Sequence, residues 1–519
     1  MLGLPQEICA VVLGTEEAAR RPDRGAEVSR GRSSRGSGEG PNGPLIEGLK
    51  ARAKKDGSLV TAMRPPIQLT LDLTGEGRGE APRPSDREAE AATATDEAES
   101  PAGAERLMEA ICDFENVETA ARAVMRNKGA PGVDGMTVKD LPAVLEKRWP
   151  QIARELVEGR YRPQPVRRVT IPKPDGGERA LGIPTVIDRM IQQAILQRLQ
   201  PAWDASFSEH SFGFRPGRSA HQAVAAAQAY VIAGNGHVVD IDLAKFFDRV
   251  DHDRLMAQVA KRVADKRVLR LIRSFLTAGA LDDGAFEESR RGTPQGGPLS
   301  PLLSNLVLDE LDRELERRGL AFVRYADDCN IYVRSEKAAR RVMASVTRFL
   351  ERRLKLQVNE AKSAVDRPWR RTFLGFTLRD APGFPRAVAP KALRRFKERM
   401  RKATGRHKGV TLKRMIADIN PLLRGWAGYF GFSEGYELAS LDSWIRRRLR
   451  CMLWVQWKTR RRRFEELTRA GVGEKTVYPA IMSGKGPWRL SASEALHRAL
   501  RNKTFAKQGL VTMATYAPA

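Results

Sequence analysis

The amino-acid sequence predicts an α+β protein behind a disordered N-terminal extension. Three observations predict it. Hydrophobic residues are 41% of the 519 and charged residues 29%, so the material for a large core is present. Strand-type alternation occurs in two separated runs, 237–243 and 320–335, while helical periodicity fills much of the chain around them. Residues 31–44 are rich in Gly, Ser and Pro, and 76–105 in Ala and Glu; neither buries enough apolar surface to offset chain entropy.

Within the extension, residues 67–73 (IQLTLDL) alternate and predict a short strand or docking segment, with Met63 just before them as an alternative start. From Leu107 the pattern changes. Residues 107–127 predict two helices with a turn between them, halted by the glycine-rich 129–135. Residues 166–184 predict two strands around Pro174-Asp175-Gly176-Gly177, and 188–204 a helix. In the next strand Val239, Ile241 and Leu243 fall on one face and Asp240 and Asp242 on the other. Residues 320–335 predict a hairpin with Ala326, Asp327 and Asp328 at its tight turn. No fixed-period repeat and no apolar run of membrane-spanning length occurs, and the N-terminus lacks the basic start of a secretory signal. Cys9, Cys112, Cys329 and Cys451 form no paired motif, which predicts a reducing, cytoplasmic compartment and excludes a disulfide framework.

The formal net charge is +27, and it is unevenly spread. Residues 1–105 carry −4, residues 106–380 carry +10 and residues 381–519 carry +21. The last quarter therefore predicts a surface for a polyanion, most simply nucleic acid. In 444–464, Trp444, Leu449, Met452, Leu453 and Trp457 have helical spacing and predict a core-facing side. Arg446, Arg447, Arg448, Arg450, Arg460, Arg461, Arg462 and Arg463 would then form the basic side, an RNA-binding face rather than a merely solvated one.

Adjacent acids between apolar strands are costly unless something neutralises them. A solvated turn is the plainer reading of an isolated Asp-Asp pair. Beside a third strand acid, however, the pair predicts a divalent-cation site. Three carboxylates suffice for two oxygen-ligated metals roughly 3.5–4 Å apart, an arrangement suited to in-line phosphoryl transfer.

Tyr325-Ala326-Asp327-Asp328 resembles the Tyr-x-Asp-Asp box of reverse transcriptases, and it stands in an ordered series. RNKGAPGVDG (126–135), IPKPDGGERALGIPTVIDRMIQQA (171–194), FGFRPGRSAHQAV (212–224), DIDLAKFFDRVDHD (240–253), GTPQGGPLSPLLSNLVLDELD (292–312), LKLQVNEAKSAV (354–365) and FLGF (373–376) resemble the successive blocks of group II intron reverse transcriptases. RGWAGYFGFSE (424–434) and 441–458 resemble the thumb, or maturase domain X, of the same family, and 488–510 the short tail of class C forms. After residue 380 only Cys451, His407 and His497 are available, so no Cys/His nuclease module is expected.

The resemblance implies a right-hand polymerase. Residues 106–380 would form fingers and a palm with a small antiparallel sheet, 381–472 an α-helical thumb or domain X, and 473–519 a short basic DNA- or RNA-binding tail. It implies Mg²⁺, two ions, on Asp242, Asp327 and Asp328; alternation alone leaves Asp240 in competition with Asp242. It implies dNTP contacts from Lys173, Arg179, Gln295 and Lys362, and a steric gate at Phe247, for which a core ring is the alternative. Arg215 and Arg218 would meet template or primer phosphates, or else be ordinary exposed arginines at a helix start. The expected partners are group II intron RNA, a DNA primer or target and dNTPs, with no membrane. Two rivals remain at this level: a splicing cofactor without polymerase activity, and a reverse transcriptase of a retron, CRISPR or diversity-generating lineage.

Overall fold

The computed structural model describes residues 106–516 except 173–177, 283–284, 290, 294–295 and 407. The extension 1–105, including the strand expected at 67–73, lies outside the described residues, as do Lys173, Gln295 and the turn at 174–177.

The predicted break in the first helical segment falls at Asp113, between α1 (Leu107–Cys112) and α2 (Phe114–Asn127), and α3 (Leu141–Val157) follows. Strands β1 (Val166–Pro172) and β2 (Glu178–Ile183) pair antiparallel, from Arg167 opposite Ile183 to Pro172 opposite Glu178. Helix α4 (Val186–Ser206) starts where the Thr185 hydroxyl accepts the Asp188 N–H. It is buried along much of its length because its apolar residues are not confined to one stripe. Helix α5 (Ala220–Ile232) begins with a reciprocal Ser219–Gln222 capping box. Further along come helices α6 (Phe246–Arg249), α7 (His252–Ala260) and α8 (Lys266–Thr277), and strands β4 (Ala280–Asp282) and β5 (Ala285–Glu287), which extend the first sheet in the order β2-β1-β4-β5.

The second sheet has the order β6-β7-β3-β8, from β3 (His237–Ile241), β6 (Ala321–Tyr325), β7 (Asp328–Val333) and β8 (Ala364–Asp366). Every adjacent pair in it is antiparallel, the small palm-type sheet that was expected. Val239, Ile241 and Leu243 enter the main core with Leu302, Leu306 and Leu311 of α9 (Ser300–Arg317). Val238, on the other face, joins Val323, Tyr332 and the α5 residues Ala223, Ala227 and Val231. The alternation read from the sequence thus sorts the two faces correctly, and the acids share the face of Val238.

After the hairpin β9 (Phe376–Leu378) and β10 (Arg386–Val388) the chain is helical: α10 (Pro390–Ala403), α11 (Leu412–Phe430), α12 (Glu437–Gln456) and α13 (Arg460–Arg469). Their core holds Phe396, Trp426, Leu449, Met452 and Trp454, and residues of the last segment, Leu490, Leu496, Phe505 and Met513, belong to the same cluster. A seam joins this unit to α5. The His221 ring stacks on Phe432 at 4.7 Å with its Nε2 2.7 Å from the Tyr429 carbonyl, and Gln228 donates to the Gly383 and Phe384 carbonyls. Among the described residues no helix is long and apolar enough to cross a membrane.

Candidate functional site

The register of the second sheet assembles the acids. Ile241 lies opposite Cys329 and Asp240 opposite Asn330. Asp242 is the residue after Ile241, where β3 ends, and its charge acts on Asp328. The hairpin turn itself is tight, with Tyr325 paired to Asp328 across Ala326 and Asp327. Ala326 takes the left-handed conformation, φ 57°, which is uncommon for a residue with a Cβ.

Each of the two strand acids has its own partner. Arg371 holds Asp240, its Nη2 2.6 Å and Nε 3.0 Å from Oδ2, and the same Nη2 donates to the Lys362 carbonyl at 2.7 Å. Asp242 is clamped by the segment that leads into β8. Asn359 Nδ2 donates to its Oδ1 at 3.1 Å, the Asn359 N–H donates to its carbonyl at 2.8 Å, and its own N–H donates to the Ser363 hydroxyl at 2.9 Å. Lys362 Nζ stands 3.4 Å from Asp242 Oδ2. Asp240 is thus engaged by a forked arginine, whereas the Asp242 carboxylate meets only Asn359 and an exposed lysine. Asn359, Ser363 and Arg371 were not singled out in the sequence, because their contacts span more than a hundred residues or join elements with no local pattern.

Loss of solvation, followed by the charges of Asp327, Asp240 and Asp242, pushes the Asp328 carboxyl up to about 7; Lys362 opposes this. Asp328 is nonetheless exposed. Protein crowds it from behind while water reaches it from the cleft. Like charges gathered at an accessible strand end are the situation a divalent cation relieves, so this donor set fits an oxygen-ligated metal. Among the described residues no three acidic, His or Cys side chains stand close enough together, as they are, to hold a metal ion.

Behind the hairpin lies a feature the sequence reading overlooked. Arg324 is fully buried, and its Nη2 and Nε reach the two Asp312 oxygens at 2.5 and 2.7 Å. Its Nη1 donates to the Asn305 Oδ1 and to the Ala326 carbonyl, both at 3.0 Å. A signal was available: Arg324 shares its strand face with Phe322, so the alternation already pointed a charged side chain inward.

On the other side of β3, Phe246 is the core ring and Phe247 is half-buried, packed edge-on to it at 5.3 Å. Phe247 lines a groove with Leu181, Gly182, Arg168 and Thr293. Phe247 also packs against the main core, of which Phe246 is a buried member. Arg179 lies in β2 opposite Ile171, on the strand pair that borders this groove.

The arginines divide. Arg215 is corrected from a phosphate contact to an internal rivet: it is buried, with Nε 2.8 Å from Asp204 Oδ1 and further bonds to the Asp204 and Ser211 carbonyls. Arg218 is partly exposed, paired with Glu209 over the Phe212 ring. Arg450 is likewise corrected. It is buried and donates to the Leu500 carbonyl at 3.0 Å. Burial, with Arg446 nearby, pushes its pKa down to about 10. It is on the core side because the helical stripe is wider than the five apolar residues alone suggested. Arg446 and Arg447 are partly exposed, Arg447 stacking on Trp488 at 4.3 Å. Arg448 is bound to Thr404, its Nε 2.6 Å from the hydroxyl. On α13, Arg461 pairs with Glu465, Arg462 with Glu466 at 2.5 Å, and Arg463 stacks on Trp454 at 4.5 Å; Arg460 is exposed.

Residues 171–378 match the family model described as "Reverse transcriptase (RNA-dependent DNA polymerase)", and residues 393–471 that of "Group II intron, maturase-specific domain". Protein YkfC of Escherichia coli is 35% identical over 301 residues, half of this chain and 79% of that protein. The group II intron-encoded protein LtrA of Lactococcus lactis is 37% identical over 199 residues, 38% of this chain and 33% of that protein. The putative COX1/OXI3 intron 1 protein of Saccharomyces cerevisiae is 31% identical over 206 residues, 39% of this chain and a quarter of that protein. The match thus spans about a third or less of the two intron-encoded relatives.

Proposed function

Because this chain belongs to the group II intron-encoded reverse transcriptases that carry a maturase domain, we propose that it extends a DNA primer on intron RNA and binds that RNA to support splicing. In this reading residues 106–380 are fingers and palm, 381–472 the thumb and maturase domain, and 473–519 a basic extension of it. The observation that carries it is the meeting of Asp242 with the Asp327–Asp328 turn at one open strand end. A splicing cofactor with a decayed polymerase site has no use for that crowded set. Comparing wild-type and Asp327→Ala protein in primer extension tests the assignment.

Enzymes of this family use divalent metal ions, and we assign two Mg²⁺ to Asp242, Asp327 and Asp328. Bound there, Mg²⁺ would polarise the primer hydroxyl and neutralise the triphosphate. The remaining work belongs to the chain's own groups. Asn359 and Ser363 fix the Asp242 backbone and one carboxylate oxygen, leaving the other to the exposed Lys362. That lysine, beside Asp242, would meet the departing pyrophosphate, while Lys173, Arg179 and Gln295 would meet the incoming nucleotide from the fingers side. Arg179 would give forked contacts to a triphosphate and Lys173 a point charge.

Phe247, half-exposed in the groove it lines with Leu181, Gly182 and Thr293, is assigned to exclude a ribose 2′-hydroxyl. A Phe247→Val enzyme is expected to lose roughly 10–100-fold in its preference for dNTP over rNTP, the usual scale for a shape-based pocket. Ratios of kcat/KM for dCTP and CTP on one template check this; an unchanged ratio returns Phe247 to a packing role.

Binding of intron RNA is assigned to the partly exposed arginines of α12 and α13. Arg460, unlike Arg461 and Arg462, has no ion pair among the described residues. Its replacement by Gln is expected to lower the slope of log affinity against log salt by about 1, and Arg462→Gln by less, since Glu466 already holds that side chain. Filter binding across a salt series reads both slopes, and equal slopes in all three proteins remove α13 from the RNA footprint.

A further inference from the structure

The polar cluster under the Tyr-x-Asp-Asp turn is unlike the rest of the core. Arg324 and Asp312 are both completely shielded from water, yet a buried ion pair is by itself poor evidence of a stabilising design, since well-packed apolar residues often do as well. What distinguishes this pair is where its remaining bonds go. Arg324 Nη1 reaches the carbonyl of Ala326, the residue immediately before the two acids, at 3.0 Å. It also reaches Asn305, whose Nδ2 donates to the Gly213 carbonyl at 2.9 Å. Gly213 presses on the turn directly, for a Cβ there would lie 2.2 Å from the Ala326 nitrogen. The backbone of Arg324 is tied to the same segment, its N–H donating to the His210 carbonyl and its carbonyl accepting from Phe212, each at 2.9 Å. Ala326, with its unfavourable positive φ, is thus held from below by a guanidinium and from the side by a glycine.

We infer that Arg324 is a positioning residue: with Asp312 and Asn305 it fixes the left-handed turn at Ala326 and so sets the spacing of Asp327 and Asp328 from Asp242. The inference rests on the reading of those acids as metal ligands and adds the group that orients them. Asp312 aims the guanidinium, and Asn305 transmits the same constraint to Gly213. Support of this kind behind a metal site typically contributes 10–100-fold in metal affinity or activity.

The test uses the full-length protein and two variants. Asp312→Leu/Arg324→Met removes both buried charges together, and Asn305→Ala removes one link while leaving the ion pair. Folding is followed by thermal melting, single-nucleotide incorporation gives kcat and the dNTP KM, and Mn²⁺ binding without nucleic acid is read by electron paramagnetic resonance. Folded variants are expected to lose about 10–100-fold in kcat, to keep KM within about twofold, and to bind Mn²⁺ about tenfold more weakly. Folded variants with kcat and Mn²⁺ affinity within about twofold of wild type, beside an inactive Asp327→Ala control, overturn the positioning role and leave a structural ion pair. If the double variant does not fold, Asn305→Ala decides by the same criteria. An Asp327→Ala control as active as wild type would instead overturn the ligand reading itself.

Discussion

Replacing Asp327 with Ala is expected to slow primer extension on an RNA template by on the order of 10³-fold, the usual cost of deleting a directly acting electrostatic group, or roughly 4 kcal/mol of transition-state stabilisation. The reason is local. Asp327 occupies the turn between β6 and β7, and the strand register leaves Asp328 and Asp242 as its neighbours across the open end. With one acid gone, the remaining pair has fewer oxygens to offer a cation, and the neighbouring strand acid, Asp240, is committed to Arg371. Binding of intron RNA, assigned to the helical C-terminal unit, should be unchanged, which separates a catalytic defect from misfolding. Rapid-quench measurement of single-nucleotide addition, alongside RNA binding by the same preparation, checks both halves. Equal incorporation rates for the two proteins would end the assignment of polymerase chemistry to this strand end.

The second large effect is on stability. Asp312→Ala leaves the Arg324 guanidinium fully buried with its forked partner removed. Burial opposes that charge, and Asp312 is what holds the arginine pKa above its ordinary value. Breaking such a pair from one side costs about 3–5 kcal/mol, more than the surface pairs on α13, which are each worth up to about 1 kcal/mol. The Asp312→Ala protein should therefore unfold at a clearly lower urea concentration than wild type, and Arg462→Gln should not. Removing both charges with apolar residues should recover much of the loss, because the uncompensated ion is then gone. Urea midpoints of the four proteins give the comparison; a midpoint for Asp312→Ala equal to that of wild type would show that the pair carries no stability.

How much of this was legible in the sequence depends on whether a residue's role is set locally. The period of two placed Val239, Ile241 and Leu243 inward and Asp240 and Asp242 outward, and the hairpin at Asp327 and Asp328 followed from two β-rich runs around a short turn. Alternation alone left Asp240 beside Asp242, and only the family resemblance chose between them; that Arg371 engages Asp240 from 131 residues away could not be read locally. The clamp of Asn359 and Ser363 on Asp242 was invisible for the same reason. Charged residues misled most. Arg215 sits in a glycine- and proline-containing loop, and Arg450 in a run of arginines, so both read as surface; only the folded chain shows Asp204 and the Leu500 carbonyl waiting inside. Phe246 and Phe247 differ by one position, and which ring turns into the core was fixed by the short helix Phe246–Arg249 that replaces a continuous strand.

The burial of Arg450 has a consequence for any estimate of how strongly this protein is driven onto a polyanion. A buried guanidinium whose Nε donates to the Leu500 carbonyl and which lies beside the Phe505 ring displaces no counterions when RNA docks. Nor does one whose field is already cancelled by a glutamate one turn along the helix. The electrostatic work available at the interface is therefore set by the few arginines still facing water without a partner, not by the surplus that a residue count suggests. In a strongly basic protein, part of the basicity is mortar.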